Sequence, residues 1–324
     1  MKYPTSGKSC CEHTPCQAPC KDGRGVWRVP VLLPVHLALV AVQILFGLWP
    51  VAGAAVLHEI SPLALSGFRV FFGAPLLALA AGLPWRPLPS ARDLGRLAVL
   101  AALGVSVNQV VYVYGLARAG PVNAGILVML LPPLTLCFAT LLGHERPQAS
   151  RLAGVVIALA GAAVLLRAEH FDLADARLSG GLLLVASGAC YSAYLVLARS
   201  VVARLGALPT VAWVFVLGAL EALPWTAGPV AATRWAALPG WALGALAFVL
   251  IGPTLLTYVL NAWALQRVES SFVAVYVYLQ PLATASTAAL VLRSELPLRT
   301  LIGGLVVCVG VGVSSLPRRR GALR

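Results

Sequence analysis

The chain has 324 residues, of which 60% are apolar and only 11% charged, with a mean hydropathy of +0.88. That leaves too little polar surface to enclose a water-soluble core, so a soluble globular protein is excluded and the bilayer is the expected solvent. The net charge of +13 would suit nucleic acid, but its cations are dispersed among short connections between apolar segments, and no nucleic-acid partner is expected.

Residues 1–30 are polar and rich in Pro and Gly, with Cys10, Cys11, Cys16 and Cys20 crowded around His13. The spacing matches no paired C-x2-C ligand pattern, so a disordered cytoplasmic tail without metal is expected, a metal or redox role being the alternative. The stretch lacks an apolar h-region and a small-residue cleavage site, and no secretory signal is expected.

Beyond the tail, segments of about 20 apolar residues predict ten transmembrane helices, over 31–52, 62–83, 94–116, 122–142, 151–166, 180–197, 208–225, 241–265, 272–292 and 298–316. The first carries Gln43, Phe46, Gly47 and Pro50. The second holds Arg69 about 12 Å along the helix from Ser61 at 1.5 Å per residue. An ion at that depth is a functional candidate: it could meet a substrate carboxylate, or bind carbonyls, or snorkel. The third places Asn108 and Tyr112 at i and i+4, flanked by Gly104 and Gly115, which would keep the stripe open. The fourth contains Pro132-Pro133 near its middle, a candidate helix break. The fifth is dominated by small residues such as Ala153, Gly154, Ala160 and Gly161, which suit close helix packing, including a homodimer, unless they only reflect an Ala- and Gly-rich composition.

The mixed-charge stretch 168–179 reads as an external linker. The sixth span offers Ser187, Tyr191 and Tyr194, and the seventh carries Glu221, either a proton carrier or a hydrated interfacial group. In the eighth, Thr254, Thr257, Tyr258 and Asn261 fall at i, i+3, i+4 and i+7 on one helix face, just after Gly252-Pro253. The ninth puts Tyr276, Gln280 and Thr284 at successive i+4 steps, with Pro281 beside Gln280. The tenth, with Gly303, Gly304, Gly310 and Gly312, resembles the fifth and shares its packing expectation. A basic cytoplasmic tail, 317–324, follows.

The chain repeats itself. Ile126 to Leu142 (ILVMLLPPLTLCFATLL) answers Ala274 to Leu290 (AVYVYLQPLATASTAAL), with Pro133 over Pro281 at an offset of 148, while Glu145, Pro147 and Gly154 meet Glu295, Pro297 and Gly304 at an offset of 150. Two five-span repeats, 31–167 and 180–316, follow. Because five is odd, the second must enter the bilayer from the opposite side, so the fold class expected is an all-α integral membrane protein of ten helices in two inverted repeats. With a cytoplasmic N-terminus, 17 of the 24 Lys and Arg residues fall on the cytoplasmic side, which assigns both termini there in an inner or plasma membrane.

Polar groups in hydrocarbon must face one another or a wet cavity. Each could act as interhelical glue, but stripes on the third, sixth, eighth and ninth spans exceed what glue needs and favour a shared cavity for a small molecule. Asn108, Tyr112, Tyr258, Asn261, Tyr276, Gln280, Gln43 and Tyr191 are its expected lining. Pro133, Pro253 and Pro281 are the expected hinges, and Arg69 and Glu221 the candidate ion or coupling groups. Neither G-x-S-x-G nor H-E-x-x-H occurs, and His36, His58, His144 and His170 are isolated, so neither catalysis nor a cofactor is expected.

The tandem repeat, the Pro62 to Arg69 second span and the repeat ends GHERPQASRLAGVVIALAGAAVLL (Gly143–Leu166) and RSELPLRTLIGGLVVCVGVGV (Arg293–Val313) resemble the EamA-type branch of the drug/metabolite transporter superfamily. The resemblance covers about Pro34 to Leu316. It implies ten helices, cytoplasmic termini and a central cavity lined by helices three, four, eight and nine, with one and six contributing. It also implies secondary transport, without ATP, of small metabolites such as amino acids, or of drugs, usually outward. A membrane sensor or scaffold acting through the N-terminal tail is the alternative. The seventh span departs from the second in having Val216 where Arg69 would align.

Overall fold

The computed structural model describes residues 29–85, 87–143, 175–268, 270–280 and 298–314, with scattered positions in 153–164 and 283–287. The chain divides into two compact units, Met1–Leu37 and Ala38–Arg324. Of the first, only the opening turns of one helix are described; all that follows concerns the second.

Every regular element among the described residues is helical. Helix α1 (Val29–Val56) leads to α2 (Pro62–Ala80), whose start is written locally: Ser61 Oγ accepts from Ala64 N at 3.2 Å and Pro62 occupies the first turn. Helix α3 (Ala91–Ala101), capped by Ser90, runs through a π segment, Ala102–Ser106, into α4 (Val107–Leu127). Within α4 the chain turns at Gly120, whose φ of 79° is open to glycine, and at Pro121. A 3₁₀ turn, Val128–Leu130, then precedes α5 (Leu131–Leu141). Helix α6 (Ala176–Leu205), capped by Asp175, is followed by α7 (Ala207–Ala232) and α8 (Gly240–Val249). A second π segment, Leu250–Leu256, joins α8 to α9 (Thr257–Leu265). The short α10 (Ser270–Val275), a 3₁₀ turn at Tyr276–Leu279, and α11 (Leu298–Ser314) complete the described elements.

The sequence repeat recurs as a repeat of backbone irregularities. Ala102 to Leu250, the starts of the two π segments, and Val128 to Tyr276, the starts of two 3₁₀ turns, are each 148 residues apart.

Six helical stretches among the described residues are long and apolar enough to cross a membrane: Leu33–Val56, Pro62–Ala80, Ala91–Leu141, Ala176–Leu205, Ala207–Ala232 and Gly240–Leu265. The 51-residue Ala91–Leu141 stretch contains both spans expected at 94–116 and 122–142, which part at Gly120. Much of the expected spans 151–166 and 272–292 lies outside the described residues, as do the cysteine-bearing tail, Pro281 and most of the linker 168–179.

Helix α4 packs on α6 and α2 on α7, the two most extensive pairings. The first depends on glycine: a Cβ on Gly115 would lie 2.9 Å from the Gly180 carbonyl oxygen, and one on Gly180 would lie 2.7 Å from Ala119 N. Backbones that close gain dispersion contact where lipid offers no hydrophobic drive to associate. Gly115 is thus a packing contact, not the opening beside Asn108 and Tyr112 that its spacing suggested.

Candidate functional site: a buried polar cavity

The packed helices line a cavity of about 100 Å³, room for several waters at ~10–15 Å³ each, or for a small solute in their place. Its polar lining comes from α1 (Gln43), α2 (Arg69), α4 (Asn108, Gln109, Tyr112), α6 (Ser187, Tyr191), α9 (Tyr258, Asn261) and Gln280. Phe46 and Trp49 of α1 supply aromatic faces. Among the described residues, no aspartate or glutamate lines it.

Most polar groups are held by specific partners. Asn108 Nδ2 donates to Ser187 O at 2.7 Å and to Ser187 Oγ at 3.1 Å, joining α4 to α6. Asn261 Nδ2 donates to the Tyr191 hydroxyl at 3.2 Å. Gln280 Nε2 donates to Gln43 Oε1, and Thr284 Oγ1 to the Gly47 carbonyl at 2.7 Å, which ties the 270–287 region to α1. The Tyr258 hydroxyl donates to the carbonyl of Gly104 at 2.6 Å, inside the first π segment. Gly104 also lets aromatic packing close, since a Cβ there would lie 2.6 Å from the Tyr194 ring. Tyr191 stacks on Tyr194 at 5.5 Å and meets Tyr258 edge-on at 6.2 Å, so three phenols form one wall behind the cavity.

Arg69 is placed by Thr254 of the second π segment. The i→i+5 pattern there gives the Val249 carbonyl to the Thr254 N–H, so the N–H that Pro253 lacks leaves no gap. Thr254 Oγ1 also donates to Val249 O at 2.7 Å, and the same oxygen accepts from Arg69 Nε at 2.8 Å. The guanidinium carbon then lies 4.3 Å from the Trp49 ring centroid, a cation–π contact. Thus the hydroxyl of the π segment serves to orient a cation.

The structure brings Gln43, Arg69, Asn108, Tyr112, Tyr191, Tyr258, Asn261 and Gln280 around the cavity, but not Tyr276 or Glu221. Tyr276 opens a 3₁₀ turn, which advances by about 120° per residue, so the i, i+4 stripe through Gln280 breaks and Val277 and Gln280 share the inner face instead. Glu221 is half-buried and accepts from Ser106 Oγ at 2.6 Å. Pro132 and Pro133 stand in the first turn of α5, directly after the 3₁₀ turn. A missing N–H costs little at a helix start, so they begin a helix here and do not kink one.

Besides apolar residues, the lining includes Trp49 and Gln109, which the sequence expectation did not name. Trp49 sits in an apolar run with no polar stripe to mark it. Gln109 adjoins Asn108 and could have been found as the second of two successive amides. It is buried beside the Tyr258 hydroxyl, yet neither its Nε2 nor its Oε1 has a partner of hydrogen-bond geometry.

Comparison with known proteins agrees with a membrane transport role. The chain is 27% identical over 264 residues to an uncharacterized transporter of Archaeoglobus fulgidus, covering 79% of this chain and 88% of the relative. It is 26% identical over 262 residues to a probable terminal-alkyne amino-acid exporter of Streptantibioticus cattleyicolor, covering 80% of this chain and 86% of that one. A crystal structure at 22% identity shares the fold with a TM-score of 0.64 over 89% of this chain and 98% of the other. Residues 33–167 and 178–316 each match the model of the EamA-like transporter family, so the chain belongs to that family and is a multi-pass membrane transporter.

Proposed function

We propose that the chain is a secondary transporter, working without ATP, that exports a small metabolite such as an amino acid by alternating access across an inner or plasma membrane. The observation that carries this reading is the cavity itself, with polar groups from several helices at once and small enough to hold one solute. The naming of one relative as an amino-acid exporter supports the cargo class. The 148-residue recurrence of π and 3₁₀ segments supports ten helices in two inverted repeats with cytoplasmic termini, rocking about the cavity. Pro253 and the starts of α5 and its repeat partner near Pro281 are the proposed hinges, and the fifth and tenth spans, 151–166 and 298–316, the proposed homodimer face.

Counterflow of a panel of radiolabelled amino acids in proteoliposomes tests the reading. Asn108→Ala combined with Gln280→Ala removes both bonds from Asn108 to Ser187 of α6 and the one between Gln280 and α1. The pair is expected to lower flux by about tenfold or more, the equivalent of some 1.4 kcal/mol. Unchanged flux in the double variant would remove these residues from the pathway.

A further inference from the structure

Arg69 has more hydrogen-bonding capacity than the protein uses. It is 3% exposed, its Nε is spent on Thr254, and its plane rests near Trp49. A guanidinium carries five N–H donors; among the described residues, the four on the two terminal nitrogens meet no acceptor, although Arg69 lines the cavity. A cation buried in the bilayer interior requires a counter-charge or a wet pocket, and no carboxylate of the lining supplies one. Beside it, Tyr112 stacks its ring on Trp49, with centroids 5.9 Å apart and planes at 23°. Its hydroxyl lies within electrostatic reach of Arg69 and has no hydrogen-bond partner among the described residues.

We propose that Arg69 and Tyr112 form a carboxylate subsite, and that the cargo is a small organic monoacid. The carboxylate accepts from the terminal nitrogens of Arg69, in the two-pronged geometry that matches a guanidinium, and from the Tyr112 hydroxyl. The body of the acid lies against Trp49 and the phenol wall. One guanidinium and no second cation in a cavity of about 100 Å³ suit a monoanion, whereas a phosphate dianion would be left with uncompensated charge. The carboxylate is the required group and an ammonium is optional, because the lining carries no anion to receive it. The subsite deepens the transport reading by naming its cargo class, but binding can be measured apart from flux.

The test uses the full chain reconstituted in phosphatidylcholine, so that no anionic lipid headgroup competes, and three probes that share one ring: 3-phenylpropionate, phenylalanine and phenethylamine. Both acids are expected to bind, and the amine to bind about tenfold more weakly or worse. Arg69→Gln is expected to abolish acid binding. Arg69→Lys keeps the charge and retains part of it. Tyr112→Phe keeps the ring stack and weakens the acids several-fold; these two variants guard against a folding defect in the first. Equal binding of the amine, acid binding unchanged in Arg69→Gln, or no binding of either acid would overturn the subsite. Arg69-dependent binding without flux would support the subsite and remove the transport reading. Flux of the amine that ignores Arg69→Gln would do the reverse.

Discussion

The two π segments occupy equivalent places in the repeat and hold opposite charges. Ser106 and Thr254 are 148 residues apart, and each hydroxyl engages an ionisable side chain. Ser106 Oγ donates to Glu221 of α7, and Thr254 Oγ1 accepts from Arg69 of α2. The second helix of each repeat therefore sends a charge to the third helix of the other. The difference lies in where the hydroxyl proton goes. Thr254 Oγ1 returns it to Val249 O of its own helix, which turns a lone pair toward Arg69, whereas Ser106 Oγ gives its proton to Glu221. The duplicated scaffold thus supplies two polar anchors, one accepting from a cation of the cavity and one donating to a carboxylate away from it.

That asymmetry can be broken in graded steps, all read by denaturant unfolding in mixed micelles. Thr254→Val should have the largest effect, about 3 kcal/mol, because it leaves a buried guanidinium nitrogen without its partner. It should also cut transport as Arg69→Gln does, and a loss no greater than that of Ser106→Ala would refute the asymmetry. Gly104→Ala should come next, at about 2 kcal/mol, since its Cβ would drive against the Tyr194 ring; a neutral outcome would show that the phenol wall can yield. Tyr258→Phe removes the link from α9 to the first π segment and should cost about 1 kcal/mol, with its largest readout in a double-mutant cycle with Gly104→Ala. Ser106→Ala should cost least, about 0.6 kcal/mol or below, because half-buried Glu221 retains other means of solvation.

Much of the cavity was legible because helical periodicity is a property of sequence. Asn108 and Tyr112 at i+4, and Tyr258 and Asn261 at i+3, reach one cavity because α4 and α9 are regular helices there. Legibility failed where the backbone leaves the 3.6-residue period. The stripe through Tyr276 and Gln280 assumed an α-helix where a 3₁₀ turn intervenes, so Tyr276 lies off the cavity lining. Thr254 and Thr257 lie on the predicted face, yet both hydroxyls turn back to their own helix, to Val249 O and Pro253 O. A hydroxyl on a polar stripe does not reveal from sequence whether it serves the helix or the cavity. Trp49 shows the converse: an aromatic residue in an apolar run acquires its role from the cation that lands on it.

A π segment stores one more residue than the α-helical turn it replaces. Deleting a single residue from Leu250–Leu256 would leave the hydrophobic length of the span almost untouched. It would close the turn to the α-helical pattern, so Thr257 to Leu265 would keep their bearing and Tyr258 its reach to Gly104. The same deletion in the regular helix Val107–Leu127 would rotate everything beyond it by about 100° about the helix axis and draw it back by ~1.5 Å. The π segments are therefore the places where a span can change its residue count without turning its polar face. A lineage that loses one residue there could keep both the membrane anchor and the aim of the cavity.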